Sequence, residues 1–155
     1  MRRFWPVVLV LMFLPTIALA EDIPAGGLTM AEVVTWLQSQ NYTTQIVPDT
    51  DGTKHVRIFY KGLKLGIYTY DCSGDRCGSL QLSAGWAMHG RFDVSRMNEW
   101  NRNKRWCRGY FDRVNDPWVE EDVDLTPGGT YELLNDSFAT FRHCVDDFTS
   151  MYGLK

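Results

Sequence analysis

The four cysteines of this chain are the residues whose chemistry is easiest to anticipate. Cys72, Cys77, Cys107 and Cys144 form an even set, and four cysteines allow three pairings. The C-x-x-C spacing used by zinc sites and by thioredoxin-type redox pairs does not occur. We therefore expect structural disulfides. Of the three pairings we favour Cys72–Cys77, which would close a hairpin turn, and Cys107–Cys144, which would join a strand to the C-terminal helix.

A second set, Asn98, Trp100, Asn101 and Arg105, forms the candidate binding site. Asn98 and Asn101 are three residues apart and therefore share a helix face. An asparagine side chain both donates and accepts hydrogen bonds, which suits it to reading a peptide backbone. The alternative is that Trp100 belongs to the core while the asparagines tie down neighbouring loops. A pocket lined by all four side chains would favour binding.

Acidic residues are concentrated in the stretch 120–124. If this stretch is a strand, its period of two places Glu120, Asp122 and Asp124 on one face. One interpretation is a carboxylate-lined cation site, although the loop spacing of calcium sites is missing. The other is ion pairing across strands and to a helix, and basic residues suited to it precede the stretch: Arg102, Lys104, Arg105 and Arg108. We favour ion pairing.

The remaining reactive residues do not assemble a catalytic centre. His55, His89 and His143 are far apart and lack ligand spacing. His143 and Cys144 are adjacent, but adjacent helical residues face about 100° apart and cannot form a nucleophile–base pair with each other. No G-x-S-x-G motif or glycine-rich phosphate loop is present. We predict a non-enzymatic protein with no catalytic residue, metal or cofactor.

The N-terminal twenty residues predict export. Arg2 and Arg3 begin the chain, an apolar run follows, and small residues stand at Ala18 and Ala20, as in a signal peptide cleaved after Ala20. The alternative is a membrane anchor, but the apolar stretch is interrupted by prolines and a spanning helix needs about 20 apolar residues. We predict a signal peptide at 1–20 and a periplasmic or secreted mature protein.

Charge and hydropathy limit the partners of the mature chain. The whole chain has a net charge of −3, and removal of Arg2 and Arg3 makes it more acidic. A mildly acidic domain lacks the electrostatic footprint for nucleic acid or anionic lipid. No later stretch is long and apolar enough to span a membrane. We expect an unidentified protein partner, no nucleic acid and no membrane association after cleavage.

Periodicity predicts the elements that position these residues. A first helix at 28–40 begins with a capping box at Thr29 and Glu32, three or four strands follow between 42 and 84, and a second helix covers 93–104. Two strands and a long amphipathic helix at 131–152 complete the chain. Strands grouped in meanders predict an antiparallel α+β domain at 28–155, preceded by a flexible segment at 21–27.

The segment 97–105 resembles the Asn-x-Trp-Asn-x-x-x-Arg helix of the YbjN family, a family labelled "Putative bacterial sensory transduction regulator". The likeness continues through 108–112, 117–125 and the Gly128-Gly129 turn, and it covers essentially residues 28–152. It implies a fold similar to that of the class I type III secretion chaperones, with one antiparallel sheet, packed helices and often a dimer. The signal peptide and the four cysteines depart from the cytoplasmic members.

Two functions follow as hypotheses. The first is a periplasmic, chaperone-like module that binds a protein segment through its sheet or a helix face and forms a homodimer. For this role we single out 80–86, which ends at Trp86, as an exposed sheet edge. The second is an envelope sensor or regulator that binds a small ligand beside Trp100.

Overall fold

The computed structural model describes residues 21–88, 90 and 93–154. The predicted signal peptide at 1–20 and His89 lie outside the described residues. Within this part of the chain the helices are α1 (Met30–Ser39), α2 (Val94–Asn103) and α3 (Tyr131–Tyr152). The longer strands are β3 (Thr44–Pro48), β4 (Lys54–Tyr60), β5 (Leu63–Ser73), β6 (Arg76–Gly85), β7 (Arg108–Phe111) and β8 (Pro117–Asp124), and the two-residue strands are β1 (Asp22–Ile23), β2 (Leu28–Thr29) and β9 (Gly129–Thr130).

The main sheet is antiparallel, with strand order β3-β4-β5-β6-β8-β7, and β2 pairs with one end of β6. The predicted α+β class and element order are confirmed, with four strands between the first two helices. The expectation of a sheet edge at 80–86 is wrong, because β6 lies between β5 and β8 and Trp86 is buried. Among the described strands, β3 and β7 end the main sheet.

Local sequence explains where the helices begin and end. Thr29 and Glu32 exchange the two hydrogen bonds of a capping box at the start of α1. Thr130 accepts from the backbone N–H of Leu133 at the start of α3. Gly153 ends α3 with φ of +64°, a left-handed conformation that glycine adopts readily. These signals fix α1 and α3 close to their predicted bounds.

Alternation along the strands decides which side of the sheet becomes the core. Leu65 and Ile67 of β5 and Leu80 and Leu82 of β6 are almost wholly buried. They join one apolar cluster with α1, α2 and α3, in which Phe141 and Phe148 of α3 are fully buried. We call this side of the sheet the covered face. Its burial is the main source of stability, at roughly 25 cal/mol for each Å² of apolar surface removed from water.

The residues before α1 contribute to packing. The sequence predicts a flexible segment at 21–27, but Asp22–Ile23 pairs with Gly129–Thr130 and Ile23 is buried. A two-residue strand has no readable period, so only its partner reveals it. Within the described residues, no helix is both long and apolar enough to cross a bilayer.

Both disulfides join the cysteines that we favoured from the sequence. Cys72 and Cys77 face each other across the β5–β6 hairpin. Cys107, which immediately precedes β7, is bonded to Cys144 of α3. The second bond therefore holds a sheet edge to the longest helix.

Candidate functional site

The structure separates the four residues of the predicted binding set. Trp100 is buried and packs edge-on against Phe148, with ring centroids 4.9 Å apart. The Asn101 side chain donates to the carbonyl of Gly109 at 2.9 Å and accepts from the N–H of Gly109 at 2.7 Å. A Cβ at Gly109 would lie 2.5 Å from the sulfur of Met97, so β7 approaches α2 as closely as glycine allows. Asn101 and Trp100 therefore hold the α2–β7 connection in place.

The other two members of the set point elsewhere. Asn98 is exposed on α2. Arg105 is exposed too, and its guanidinium lies 5.2 Å from the centre of the Trp106 ring. The four side chains therefore do not line one pocket, and the interpretation in which Trp100 is core and an asparagine ties down a loop describes this region better.

A groove does lie beside Trp100, on another side of α2. It has a volume of about 560 Å³ between α2 and α3. Its two cations are occupied by neighbours, since Lys104 pairs with Asp147 and Arg96 donates to the carbonyl of Met151. The Lys104 ammonium also lies 5.0 Å from the centre of the Trp100 ring. Of the predicted set, only Trp100 lines this groove.

The side of the sheet opposite the covered face, which we call the open face, carries a different set of residues. One row crosses five strands in register, with Arg57 beside Gly66, Gly66 beside Ser83, Ser83 beside Glu120 and Glu120 beside Arg108. Side chains in such a row touch their neighbours on the same face. The row therefore places charged and small residues where the covered face has aliphatic ones.

Two aromatic rings of the open face lie over glycines. A Cβ at Gly66 would fall 2.8 Å from the ring of Tyr68, and one at Gly85 would fall 2.6 Å from the ring of Trp118. Glycine in a strand weakens it but lets another group approach the backbone closely. The glycines therefore allow both rings to lie down on the sheet.

Further rings extend this aromatic layer. His55 stacks on Tyr68 with ring centroids 4.7 Å apart, and Tyr110 stacks on Trp118 at 6.5 Å. The imidazole Nδ1 of His55 lies 3.0 Å from both carboxylate oxygens of Asp49. The contact with Asp49 therefore fixes the His55 ring on which Tyr68 stacks.

Glu120 is the centre of a polar network on the open face. Its carboxylate accepts two hydrogen bonds from Arg108, at 3.1 and 2.7 Å, and one from the Tyr110 hydroxyl at 2.8 Å. The Ser83 hydroxyl is 3.4 Å away. Burial and this bond to Glu120 raise the pKa of Tyr110 far above its usual range. The ion-pairing interpretation of the acidic stretch is confirmed for Glu120.

Two depressions mark the open face. One of about 460 Å³ is lined by Tyr70, Gln81, Arg108, Tyr110 and Glu120. The other, which we call the slot, has a volume of about 230 Å³. It is lined by Gly66, Ser83, Tyr68 and Trp118, by the cations Arg57 and Lys64, and by Asp49 and its partner His55.

Glu121, the next residue along β8, points to the covered face and is buried there. One of its carboxyl oxygens lies 3.4 Å from the sulfur of Cys107. Burial raises the pKa of this carboxyl to about 7, and the nearby charges of Asp122 and Asp136 add to the shift. Within the described residues, no three His, Cys, Asp or Glu side chains converge as a metal site would require.

The sequence alone did not predict the open face, because the residues that form it are spread over several strands. Tyr68, Tyr110 and Trp118 stand on three different strands, and their neighbours become known only with the strand order. The one local clue was Gly66 two residues before Tyr68 within an alternating strand. A glycine inside a strand often marks close approach by another group.

Comparisons with known proteins agree with this fold. A crystal structure of an uncharacterized protein from Methanothermobacter thermautotrophicus has a TM-score of 0.55 and 13% identity, covering 80% of this chain and 96% of that one. At this identity the likeness concerns the fold alone. No curated protein matches the sequence. The likeness to secretion chaperones stays a prediction.

The model of the YbjN family, described as "Putative bacterial sensory transduction regulator", matches residues 29–151. The match spans α1 to the last turn of α3 and includes both faces of the sheet. This chain therefore belongs to the YbjN family.

Proposed function

We propose that this chain is an exported, non-enzymatic binding module that engages a segment of another protein through the open face of its sheet. One observation carries the proposal: α1, α2 and α3 all pack into the core on the covered face, while aromatic and charged side chains occupy the other. Family membership, with its description as a sensory transduction regulator, fits a regulatory or binding role.

The composition of the open face favours a protein partner. Tyr70 is 47% exposed, Phe59 46% and Tyr110 37%. Tyrosine and arginine are enriched in protein interfaces, because each combines a large contact area with hydrogen-bonding capacity. The two depressions are open and lie on neighbouring strands, which suits an extended segment better than an enclosed small molecule.

Export is part of the proposal. The predicted signal peptide ends at Ala20, and the two disulfides are of the kind that persists in oxidising compartments such as the periplasm. In that compartment the module would meet proteins of the cell envelope. The segment that it binds therefore belongs to an envelope or secreted protein.

We propose that the module is not an enzyme because the polar groups of the open face are engaged with one another. Glu120 is held by Arg108 and Tyr110, and Asp49 lies against His55. Glu120 is engaged by three hydrogen bonds, and the His55 imidazole is 5% exposed and stacked on Tyr68, so neither group is well placed to meet a substrate. Glu121 has a shifted pKa but lies in the core beside a disulfide.

The second candidate function is an envelope sensor that binds a small ligand in the α2–α3 groove beside Trp100. The groove favours it by size, since about 560 Å³ falls within the range of ligand sites. Its cations, however, are already bonded to Asp147 and to the carbonyl of Met151. A ligand would have to displace these contacts, which ranks this function below the first.

Non-reducing native mass spectrometry of the mature protein, purified gently from its host's periplasm, tests the two functions together. The decisive comparison is between Tyr70→Asp with Phe59→Asp on the open face and Val114→Asp with Leu133→Asp, which alter still more exposed apolar residues elsewhere. We expect a complex with a second polypeptide that the open-face variant loses and the control retains.

Three other outcomes have clear meanings. A reproducible small added mass that survives in both variants would favour the sensor. A complex retained by the open-face variant would contradict the open-face proposal. A homodimer, which the chaperone likeness implies, would be read directly from the mass of the unliganded protein.

A further inference from the structure

The slot on the open face is built from small residues and two aromatic rings. Gly66 and Ser83 are cross-strand partners and form the floor. The rings of Tyr68 and Trp118 lie over Gly66 and Gly85 and line the slot beside this floor. Because these glycines contribute no side chain, the rings lie flat on the sheet, and flat groups of a ligand can rest on the rings.

Two cations line the slot without an ionic partner. Within the described residues, neither Arg57 nor Lys64 is within ion-pair distance of a carboxylate, whereas Arg108 on the same face is paired with Glu120. The nearby acids are committed, since Asp49 contacts His55 and Thr53 and Asp122 accepts from Gln81. Asp49 is the one carboxylate that lines the slot, so the two cations outnumber the slot's carboxylates.

The register brings these two cations close together. Arg57 is opposite Gly66, and Lys64 stands two residues before Gly66 on the same face of β5. Diagonal neighbours of this kind have Cβ atoms about 7 Å apart, so their like charges repel. An anion placed between the two charged ends, beside the Tyr68 ring, would interact with both, and a planar carboxylate matches the guanidinium of Arg57.

We propose that the slot is an anion subsite that takes an aspartate or glutamate side chain of an extended partner segment, whose neighbouring apolar residue rests on Tyr68 or Trp118. This rests on the proposed function and names the chemistry that the open face selects. Charge complementarity commits the occupant: the chain as a whole is acidic, with a net charge of −3, yet the slot holds two cations, neither ion-paired among the described residues, against the single carboxylate of Asp49.

Nuclear magnetic resonance on the ¹⁵N-labelled mature protein tests the subsite with defined probes. The first probe is the acetylated, amidated peptide Thr-Glu-Tyr-Glu-Thr, and the second replaces both glutamates by glutamine. We expect the acidic peptide to shift the backbone amides of Gly66, Ser83 and Gly85. The glutamine peptide should bind about tenfold more weakly, because it lacks the charge-assisted bonds.

A matched pair of variants separates the slot from the overall charge. Arg57→Glu with Lys64→Glu should weaken the acidic peptide by about tenfold or more. Lys54→Glu with Arg113→Glu changes the net charge equally, on exposed residues outside the slot, and should change the affinity by less than about twofold. The milder pair Arg57→Gln with Lys64→Gln covers the case in which charge reversal disturbs folding.

Several results would overturn the subsite. Equal binding of the two peptides on the open face would remove the anion preference while leaving the proposed function intact. Peptide shifts confined to the α2–α3 groove would place the anion site elsewhere. Phenylacetate binding the slot as tightly as the acidic peptide would replace the segment by a small carboxylate. The proposed function itself fails separately, if the open-face variant keeps its partner in native mass spectrometry.

Discussion

Two consecutive glutamates on β8 show how differently the two faces of one sheet treat the same side chain. Glu120 and Glu121 are both less than 10% exposed. Glu120 points to the open face and is held by Arg108 and Tyr110. Glu121 points to the covered face, where burial raises its pKa and one carboxyl oxygen lies 3.4 Å from the sulfur of Cys107.

The difference separates what folds the chain from what it offers to a partner. The covered face is apolar and close-packed, so a polar group placed there changes its ionisation. The open face pairs the buried Glu120 with Arg108, while Arg57 and Lys64 have no ion-pair partner in the part of the chain that the structure describes. Changes on the covered face should therefore affect stability, and changes on the open face should affect binding.

The largest expected effect on stability comes from the core of α3. Phe148→Ala removes a fully buried ring that contacts Trp86 and Trp100 and should lower the free energy of unfolding by about 3–5 kcal/mol. Tyr70→Ala on the open face should change it by less than about 0.5 kcal/mol. Urea unfolding followed by tryptophan fluorescence measures both. A similar loss in the two variants would break the contrast between the faces.

The two disulfides should contribute unequally to the free energy of unfolding. Replacing Cys107 and Cys144, separated by 37 residues, with serine should cost about 4 kcal/mol in the loop-entropy account. Replacing Cys72 and Cys77, separated by 5 residues, should cost about 2 kcal/mol. Thermal unfolding of the two double variants provides the comparison, and a greater loss from the hairpin bond would contradict it.

The carboxyl of Glu121 should make the protein less stable as the pH rises. Its pKa is about 7 in the folded state against 4.5 for an exposed glutamate, so the folded state binds the extra proton between these values. Between pH 5 and pH 8 this group should therefore remove about 2–3 kcal/mol. The measurement is urea unfolding at both pH values.

Glu121→Gln should abolish most of that decline, since an amide does not ionise. Glu120→Gln is the matched control on the open face. It should weaken the contact with Arg108 and lower stability, but leave the pH dependence between 5 and 8 in place. A decline that survives Glu121→Gln unchanged would assign it to other groups.

The two asparagines of the family motif should differ in how much they stabilise the fold, and these are the smallest effects that we predict. Asn101→Ala removes two hydrogen bonds to the backbone of Gly109 and should cost about 1–3 kcal/mol. Asn98→Ala, on an exposed position, should change stability by less than about 0.5 kcal/mol. If the double variant keeps its partner in native mass spectrometry, the motif serves the fold.

Much of the fold could be predicted from local sequence. The capping box at Thr29 and Glu32 set the start of α1, and the hairpin turn between Cys72 and Cys77 indicated their pairing. The strand order could not be predicted, because the insertion of β8 between β6 and β7 depends on contacts distant in sequence. That insertion is also why 80–86 is central and not an edge.

The candidate site was harder to predict than the fold for the same reason. The Asn98–Asn101 motif stands out in the sequence, yet Asn101 and Trp100 are used for packing and for the α2–β7 connection. The slot combines Arg57, Gly66 and Trp118 from three strands, and no local period brings them together. A site of this kind becomes visible only once the register is known.

Photo-crosslinking in intact host cells tests most directly the claim that the open face is the binding surface. A benzophenone amino acid would replace Tyr70 on the open face and, in a second strain, Leu133 on α3, which is 60% exposed. The account predicts that the Tyr70 position forms an adduct with a second polypeptide, that the Leu133 position does not, and that Arg57→Glu with Lys64→Glu weakens the adduct. An adduct from Leu133 and none from Tyr70 would contradict it.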